Sequence, residues 1–200
     1  MKTTLLLIIL AIAISGTAFA GEIDLTNEYG SLSISNAGIV STQSQLKSFG
    51  GITATSGALG YVNYSTGALT SGSIAAGGTF SATGSTFDVI GVGKGVPHGT
   101  IFNGTFVGPI TWTFDGASGP HGNNLTYTLS GDITGMLYTG RIITGVTTQT
   151  IYSAKGQLSQ GVGHIRTGTS SFTVPEPNSL LLLGTGIVSM AGFFRRKLMI

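Results

Sequence analysis

The chain has 200 residues, with nine lysines and arginines against seven aspartates and glutamates, 33 glycines and no cysteine. The absence of cysteine excludes a disulfide framework. Four of the bases and one of the acids lie in the terminal segments, which leaves five bases and six acids in residues 21–173. Such a body has no basic patch that could neutralise several phosphates, so we expect no nucleic-acid binding.

The first 20 residues have the layout of a secretory signal peptide. Lys2 supplies a positive charge, residues 5–14 form an apolar core, and the small residues Ala18 and Ala20 occupy the two positions that signal peptidase recognises. This core is too short to span a membrane, which takes about 20 apolar residues. We therefore predict export of the chain and cleavage by signal peptidase after Ala20.

Residues 21–173 are predicted to form one exported domain. Short runs of β-branched and aromatic residues are separated by Gly or Asn every eight to twelve positions, a spacing typical of a sandwich or a barrel. Glycine interrupts every candidate helical window, so no helix of ordinary length is expected. We predict an all-β fold, with a single β-sandwich-like ectodomain rich in Gly, Ser and Thr.

The clearest strands are predicted between two Asx-Gly dipeptides and after the second of them. Asn103-Gly104 and Asp115-Gly116 suit tight hairpin turns, because both turn positions must tolerate positive φ. Alternation of apolar and hydroxyl side chains predicts two neighbouring core strands, with Trp112 as the largest core residue. The side chains predicted to face inward are Ile110, Trp112, Phe114, Leu125, Tyr127 and Leu129.

The segment at residues 31–84 leaves two interpretations open. Gly-Ala-Leu recurs at residues 57–59 and 67–69, and small polar side chains dominate the segment. It is predicted to form either regular edge strands or a loosely ordered, repeat-like surface.

No catalytic, cofactor or metal site is predicted. Hydrolase motifs are missing, and the sequence Gly-Val-Gly-Lys-Gly at residues 91–95 lacks the spacing of a phosphate-binding loop, so a glycine-rich turn is expected there. His98, His121 and His164 lie beside Gly or Pro and are predicted in exposed loops, without the short spacing of a zinc site. The acids show no calcium-loop pattern. We predict that the protein is not an enzyme.

The C-terminal segment, residues 174–200, combines three features in order. These are the motif Val174, Pro175, Glu176 and Pro177, an apolar stretch at residues 179–194, and the basic cluster Arg195, Arg196 and Lys197. Sixteen helical residues reach about 24 Å, short of a hydrocarbon core of about 30 Å, and local bilayer thinning accommodates the difference at small cost. We predict a transmembrane helix over residues 179–194, with the basic cluster cytoplasmic and the body outside.

This order of features resembles the PEP-CTERM sorting signal of Gram-negative bacteria, over residues 174–197. The resemblance implies that Pro175, Glu176 and Pro177 are recognised outside the membrane by exosortase, a membrane-embedded transpeptidase-like enzyme. It also implies an inner-membrane-anchored precursor that later reaches the cell surface or extracellular matrix, in an envelope that produces exopolysaccharide and forms biofilm. The outer bodies of such proteins vary widely, so the resemblance implies a route and no activity of the body.

These observations predict an exported structural protein of the cell surface or extracellular matrix. Its hydroxyl-rich, nearly neutral faces would make weak contacts with exopolysaccharide or with copies of itself. One alternative is a carbohydrate-binding module in which Tyr61, Tyr64 or Trp112 stacks on sugar rings, although alternation predicts that Trp112 is buried. A polysaccharide-modifying enzyme is a further alternative, because paired carboxylates can come from distant strands.

Overall fold

Alternating apolar and hydroxyl side chains build twelve β-strands and no α-helix in the part of the chain that the structure describes. A computed structural model describes residues 21–119, 123–154 and 156–174. A short 3₁₀-helix, Leu158–Gln160, precedes the last strand. The predictions of an all-β fold and of a body without ordinary helices are confirmed for these residues. The strands are β1 Gly21–Glu28, β2 Gly30–Ser35, β3 Gly38–Phe49, β4 Ile52–Thr53, β5 Gly60–Ser65, β6 Leu69–Ser73, β7 Gly77–Phe80, β8 Thr86–Gly91, β9 Gly99–Ser118, β10 Asn124–Leu137, β11 Ile142–Ala154 and β12 Val162–Val174.

The sheet closes on itself as an eight-stranded barrel with extra strands, within a compact unit that spans Glu22–Val174. The order around the barrel is β9–β10–β11–β12–β1–β3–β5–β8 and back to β9, and β2 also pairs with both β12 and β3. A sandwich would keep two sheets with free edges, whereas here β10 pairs along its length with both β9 and β11. Bulges in these strands supply the curvature that closure needs. The predicted sandwich is therefore corrected to a closed barrel.

The segment at residues 31–84 forms regular strands rather than a repeat-like surface. β2, β3 and β5 belong to the main sheet, while β6 and β7 form a hairpin that pairs with β9. The hairpin turn is tied to the core at one end of the barrel. Trp112 Nε1 donates to the Ile74 carbonyl at 2.8 Å, and the Tyr127 hydroxyl donates to the Ala75 carbonyl at 3.0 Å.

β9 and β10 are the neighbouring core strands that the sequence predicts. Leu129 lies opposite Trp112 in the register, and Trp112 is among the largest fully buried side chains. Two of the side chains predicted to face inward depart from the pattern. Phe114 is 40% exposed, and Leu125 is half-buried. Phe114 lies next to a bulge in the β9–β10 pairing, which interrupts the simple alternation of inward and outward side chains.

The two dipeptides predicted as hairpin turns, at residues 103–104 and 115–116, lie inside β9, so this prediction is wrong. Gly104 serves close packing. A Cβ there would lie 2.3 Å from the Thr134 carbonyl oxygen and 2.7 Å from the ring of Phe102. The glycine of the second dipeptide has φ of 139° and lies at a bulge. Glycine inside a strand can mark close packing or a bulge as well as a turn.

Aromatic side chains fill one part of the barrel interior. Tyr64 stacks on Phe87 with the ring centroids 6.1 Å apart, and Phe106 meets both rings edge-on. Phe102 packs against Phe172 of the last strand at 4.7 Å. Edge-to-face and offset arrangements of this kind add to the stabilisation that burial of the ring area provides. Rings from β5, β8, β9 and β12 therefore meet inside the barrel.

A hydrogen-bonded polar network fills another part of the interior, and nothing in the sequence pattern predicts it. Asn27 Nδ2 donates to Ser44 Oγ at 2.7 Å and to Gln149 Oε1 at 2.9 Å. Gln149 Nε2 donates to Thr147 Oγ1 at 2.9 Å. Gly168 leaves room for the amide pair, since a Cβ there would lie 2.0 Å from Gln149 Oε1. The buried members of the network are Asn27, Ser44, Thr147, Gln149 and Ser170.

Asn27→Ala is expected to destabilise the barrel by about 2–4 kcal/mol, because it leaves Gln149 and Ser44 buried with unmade hydrogen bonds. The free energy of unfolding is measured in urea. The control is Asn103→Ala, which removes an exposed hydrogen bond to Asp88 and is expected to cost less than about 1 kcal/mol. Equal costs for the two variants would contradict a stabilising role of the interior network.

Candidate functional site

The predicted sorting motif begins where the last barrel strand ends. Val174 is the final residue of β12 and is half-buried. The signal peptide at residues 1–20 and the transmembrane helix at residues 179–194 lie outside the described residues. Within the ranges that are described, no helix is long and apolar enough to cross a membrane. The other predicted site residues that lie outside the described ranges are Ala18, Ala20, Pro175, Glu176, Pro177, Arg195, Arg196 and Lys197.

β12 is held in the sheet almost to its last residue. Thr173 pairs with Thr144 of β11, and the neighbouring Phe172 is buried against Phe102. Proteolytic enzymes prefer exposed chain that is not paired in a sheet. The end of β12, up to Thr173, is therefore a poor substrate for such an enzyme.

The first described residues lie beside this point. β1 and β2 both run antiparallel to β3, and β12 runs antiparallel to β2, so the start of β1 lies next to the end of β12. The Ser171 hydroxyl donates to the Glu22 carboxylate across the two strands. We call this side of the barrel the tail-bearing end, defined by Gly21, Val174 and the β10–β11 turn at residues 138–141.

Threonine and serine side chains line the outer surface of β9–β12. They alternate with buried residues along each strand and fall into register across all four strands. Neighbouring strands are spaced by about 4.8 Å, and successive outward residues of one strand by roughly 7 Å. We call this surface the hydroxyl face, defined by two rows of residues, Thr113, Thr128, Thr150 and Thr167, then Thr111, Ser130, Thr148 and Thr169.

Most hydroxyls of this face are available to an external partner. Thr128 Oγ1 donates to Asp115 Oδ2 at 2.7 Å. No other hydroxyl of the face hydrogen-bonds within the described residues. The face therefore presents a regular set of neutral donors and acceptors to the solvent.

A second surface feature, the aromatic patch, consists of Tyr29, Gln45, Lys47 and Tyr61. Tyr29 is 66% exposed and has φ of 56°, which is unusual for a bulky residue. The Lys47 ammonium lies 5.2 Å from the centre of the Tyr29 ring and donates to Gln45 Oε1 at 2.9 Å. Gln45 is paired with the exposed Tyr61 in the register. Sequence reasoning missed Tyr29, because nothing in the pattern indicates its positive φ.

Two of the three aromatics predicted to stack on sugars are enclosed in the core. Tyr64 and Trp112 are both 1% exposed. Burial raises the pKa of the Tyr64 phenol, and the nearby Ser41 hydroxyl offsets part of this rise. The two hydroxyls are on paired residues of β3 and β5 but do not meet the geometry of a hydrogen bond. Tyr64 therefore stays neutral and cannot contact a ligand from outside.

The histidines do not converge. His98 is exposed in the β8–β9 connection, as predicted. His164 is exposed but lies on β12, where it pairs with Tyr152, so its predicted position in a loop is wrong. His121 lies outside the described residues. Within the described ranges, no three His, Asp or Glu side chains are grouped as metal ligands would be.

The glycine-rich turn at residues 91–95 uses its amides within the barrel. The amides of Val92 and Gly93 both donate to the Leu59 carbonyl, at 2.9 and 2.8 Å. A phosphate-binding loop needs its backbone amides free to point at the ligand. The turn therefore holds two connections together and does not offer these two amides to a phosphate.

A cleft of about 590 Å³ lies between the β2–β3 turn, the β6–β7 turn and the β11–β12 connection. Its apolar walls include Ile34, Ile74, Leu125 and Leu158. The described residues that line it include no acid, base or histidine. The described lining of the cleft therefore offers none of the groups that general acid–base catalysis uses.

Comparison with known families gives a match to the C-terminal segment. Residues 173–197 match the family model of the PEP-CTERM protein-sorting motif, so the resemblance of the C-terminal segment to this motif is confirmed. The match implies an exported, membrane-anchored precursor in Gram-negative bacteria and processing by an exosortase-type membrane enzyme. Comparisons with the curated proteins and with the solved structures found no match.

Proposed function

We propose that the chain is an exported, non-enzymatic structural protein that is anchored by its C-terminal segment only until exosortase processes it. The observation that carries this proposal is the position of the sorting motif. The motif comes immediately after β12 in the chain, and the last residues of β12 are paired or packed in the barrel. A cut in residues 175–177 would leave every strand of the barrel intact.

The other end of the chain supports the same route. Cleavage by signal peptidase after Ala20 would leave Gly21, the first residue of β1, as the new N-terminus. Both processing sites would then flank the barrel without cutting into it. The mature protein would be the barrel with short ends, released to the cell surface or to the extracellular matrix.

The surface chemistry of the barrel favours contact with exopolysaccharide. Polysaccharides present many hydroxyl groups, which pair with neutral donors and acceptors such as those of the hydroxyl face. One hydroxyl pair contributes little net free energy in water, so useful binding requires many such contacts. The regular rows on β9–β12 provide them over four adjacent strands.

Replacing Pro175, Glu176 and Pro177 together with alanine is expected to block maturation, because the recognition residues are lost. Intact-mass analysis of protein from the native cells would then show a precursor that retains its tail in the membrane fraction. Asn178→Ala, next to the motif, is the matched control and should mature normally. An unchanged mature mass and location in the triple variant would refute processing at this motif.

Thr148→Val with Thr150→Val is expected to lower retention of the mature protein on purified native exopolysaccharide by roughly fivefold, since two hydroxyls are removed with little change of shape. The control carries Thr42→Val and Thr100→Val, two exposed threonines outside the hydroxyl face. Equal retention of both variants and the unmodified protein would show that the hydroxyl face does not bind the polysaccharide.

A carbohydrate-binding module that uses the aromatic patch is the second candidate. The exposed Tyr29 ring, held beside Lys47 with an amide nearby, offers a stacking surface together with hydrogen-bonding groups. The positive φ of Tyr29 supports the idea, because strained residues are often kept for function. The sugars recognised this way would be individual rings, and the Lys47 charge would favour acidic ones.

Tyr29→Asn separates the two candidates, because asparagine tolerates positive φ but cannot stack on a sugar ring. If the patch binds glycans, the variant loses about tenfold in affinity on a glycan array. The control is Tyr138→Asn, which changes another tyrosine that is more than half exposed. Unchanged glycan binding by Tyr29→Asn would eliminate the aromatic patch as the binding site.

A further inference from the structure

The β10–β11 turn carries a group of exposed apolar side chains that the proposed function does not use. Met136 is 54% exposed, Tyr138 is 55% exposed and Ile142 is 71% exposed. Ile142 has the highest exposure of the large apolar side chains that are described. Met136 and Ile142 are directly paired across the two strands, so they form one surface. We call these three residues the apolar tip.

The apolar tip is held rigidly by backbone hydrogen bonds. The Leu137 amide donates to the Arg141 carbonyl at 2.9 Å, and the Gly140 amide donates to the Leu137 carbonyl at 2.8 Å. The Tyr138 amide reaches across to the Ile101 carbonyl of β9 at 2.7 Å. The backbone of the turn is therefore fixed in a position that leaves these apolar side chains exposed instead of burying them.

The apolar tip lies at the tail-bearing end, beside the point where β12 ends. Thr144 pairs with Thr173, and Ile142 is two residues further along β11 towards the turn, about 7 Å beyond this pair. Only four residues, 175–178, separate Val174 from the start of the apolar stretch at residue 179. The five Cα-to-Cα steps from Val174 to residue 179 span roughly 17 Å when fully extended. Once residues 179–194 are inserted, the tail-bearing end is kept close to the membrane surface.

We infer that the apolar tip inserts into the interfacial layer of the lipid bilayer while the precursor is anchored, a contact that rests on the proposed anchoring of residues 179–194. Tyrosine is enriched at membrane interfaces, and methionine and isoleucine gain free energy when their apolar surface leaves water. The contact orients the barrel, because it adds a second point of attachment next to the tail. It thereby fixes the direction in which the chain after Val174 leaves the barrel.

A lipid surface fits the apolar tip better than a protein partner does. The three exposed side chains beside the β10–β11 turn form a small apolar surface, whereas a specific protein interface requires on the order of 800 Å² from each partner. None of the three side chains is charged, which suits shallow insertion. The short connection between Val174 and residue 179 also keeps this end of the barrel near the membrane surface.

The absence of cysteine allows a single label to report the contact. Thr139→Cys places an environment-sensitive fluorophore within the turn in the full chain, and Asn36→Cys places it in the β2–β3 turn at the other end of the barrel. Each labelled chain is reconstituted in vesicles of phosphatidylethanolamine and phosphatidylglycerol that contain headgroup-proximal nitroxide lipid. We expect lipid quenching and protection from aqueous iodide at residue 139, and the reverse at residue 36.

Met136→Ser with Ile142→Ser, added to Thr139→Cys, is expected to abolish the lipid quenching while the chain still floats with the vesicles. Flotation reports the terminal apolar segments, so it tests anchoring separately from the tip. Flotation without quenching at residue 139 in the otherwise unmodified chain would overturn the tip contact and leave the anchoring intact. A chain that does not float would overturn both. Protection from iodide in native membranes, without lipid quenching in vesicles, would assign the tip to a protein and refute the lipid contact.

Discussion

The pairing of the first strands with the last one is the constraint on which the rest of the structure depends. Val162 to Ile165 pair with Gly30 to Ser33, and the Tyr29 amide donates to the Ile165 carbonyl at 3.1 Å. This seam closes the barrel and removes edges that would otherwise be open to aggregation. With no disulfide to join the ends, the seam alone brings them together. The Asn27–Gln149 pair of the interior joins β1 to β11, so its hydrogen bond depends on the seam that brings these strands together.

The sequence predicted the secondary structure and the partition of side chains well, because alternation along a strand is a local property. Trp112 and Leu129 face inward and lie opposite each other, as the pattern requires. The prediction of turns at the two dipeptides was wrong because of contacts with residues that are distant in the sequence. A Cβ at Gly104 would lie 2.3 Å from the Thr134 carbonyl oxygen of β10, and a sequence does not show which strand will approach a glycine so closely. Closure into a barrel likewise depends on bulges and on register.

The candidate surfaces also differ in how far the sequence alone could predict them. The hydroxyl face follows from alternation, so its general character could be predicted, although its rows depend on the register of four strands. The interior network could not be predicted, because Asn27 and Gln149 lie 122 positions apart and no local sequence pattern indicates that they meet. The sorting motif could be recognised because it is a linear signal in consecutive residues. Its placement against the last strand required the fold.

The pairing between Glu22 and Ser171 joins residues that are 149 positions apart. Contacts of such high sequence separation are formed slowly, because the entropy of closing a long loop opposes them. If the chain is exported from its N-terminus, as the predicted signal peptide implies, the seam cannot be completed until β12 has emerged. The sorting segment follows β12 directly in the sequence, so closure of the barrel would then coincide with the arrival of its tail. A chain halted before this step would keep β1 and β2 unpaired on one side and exposed to proteases.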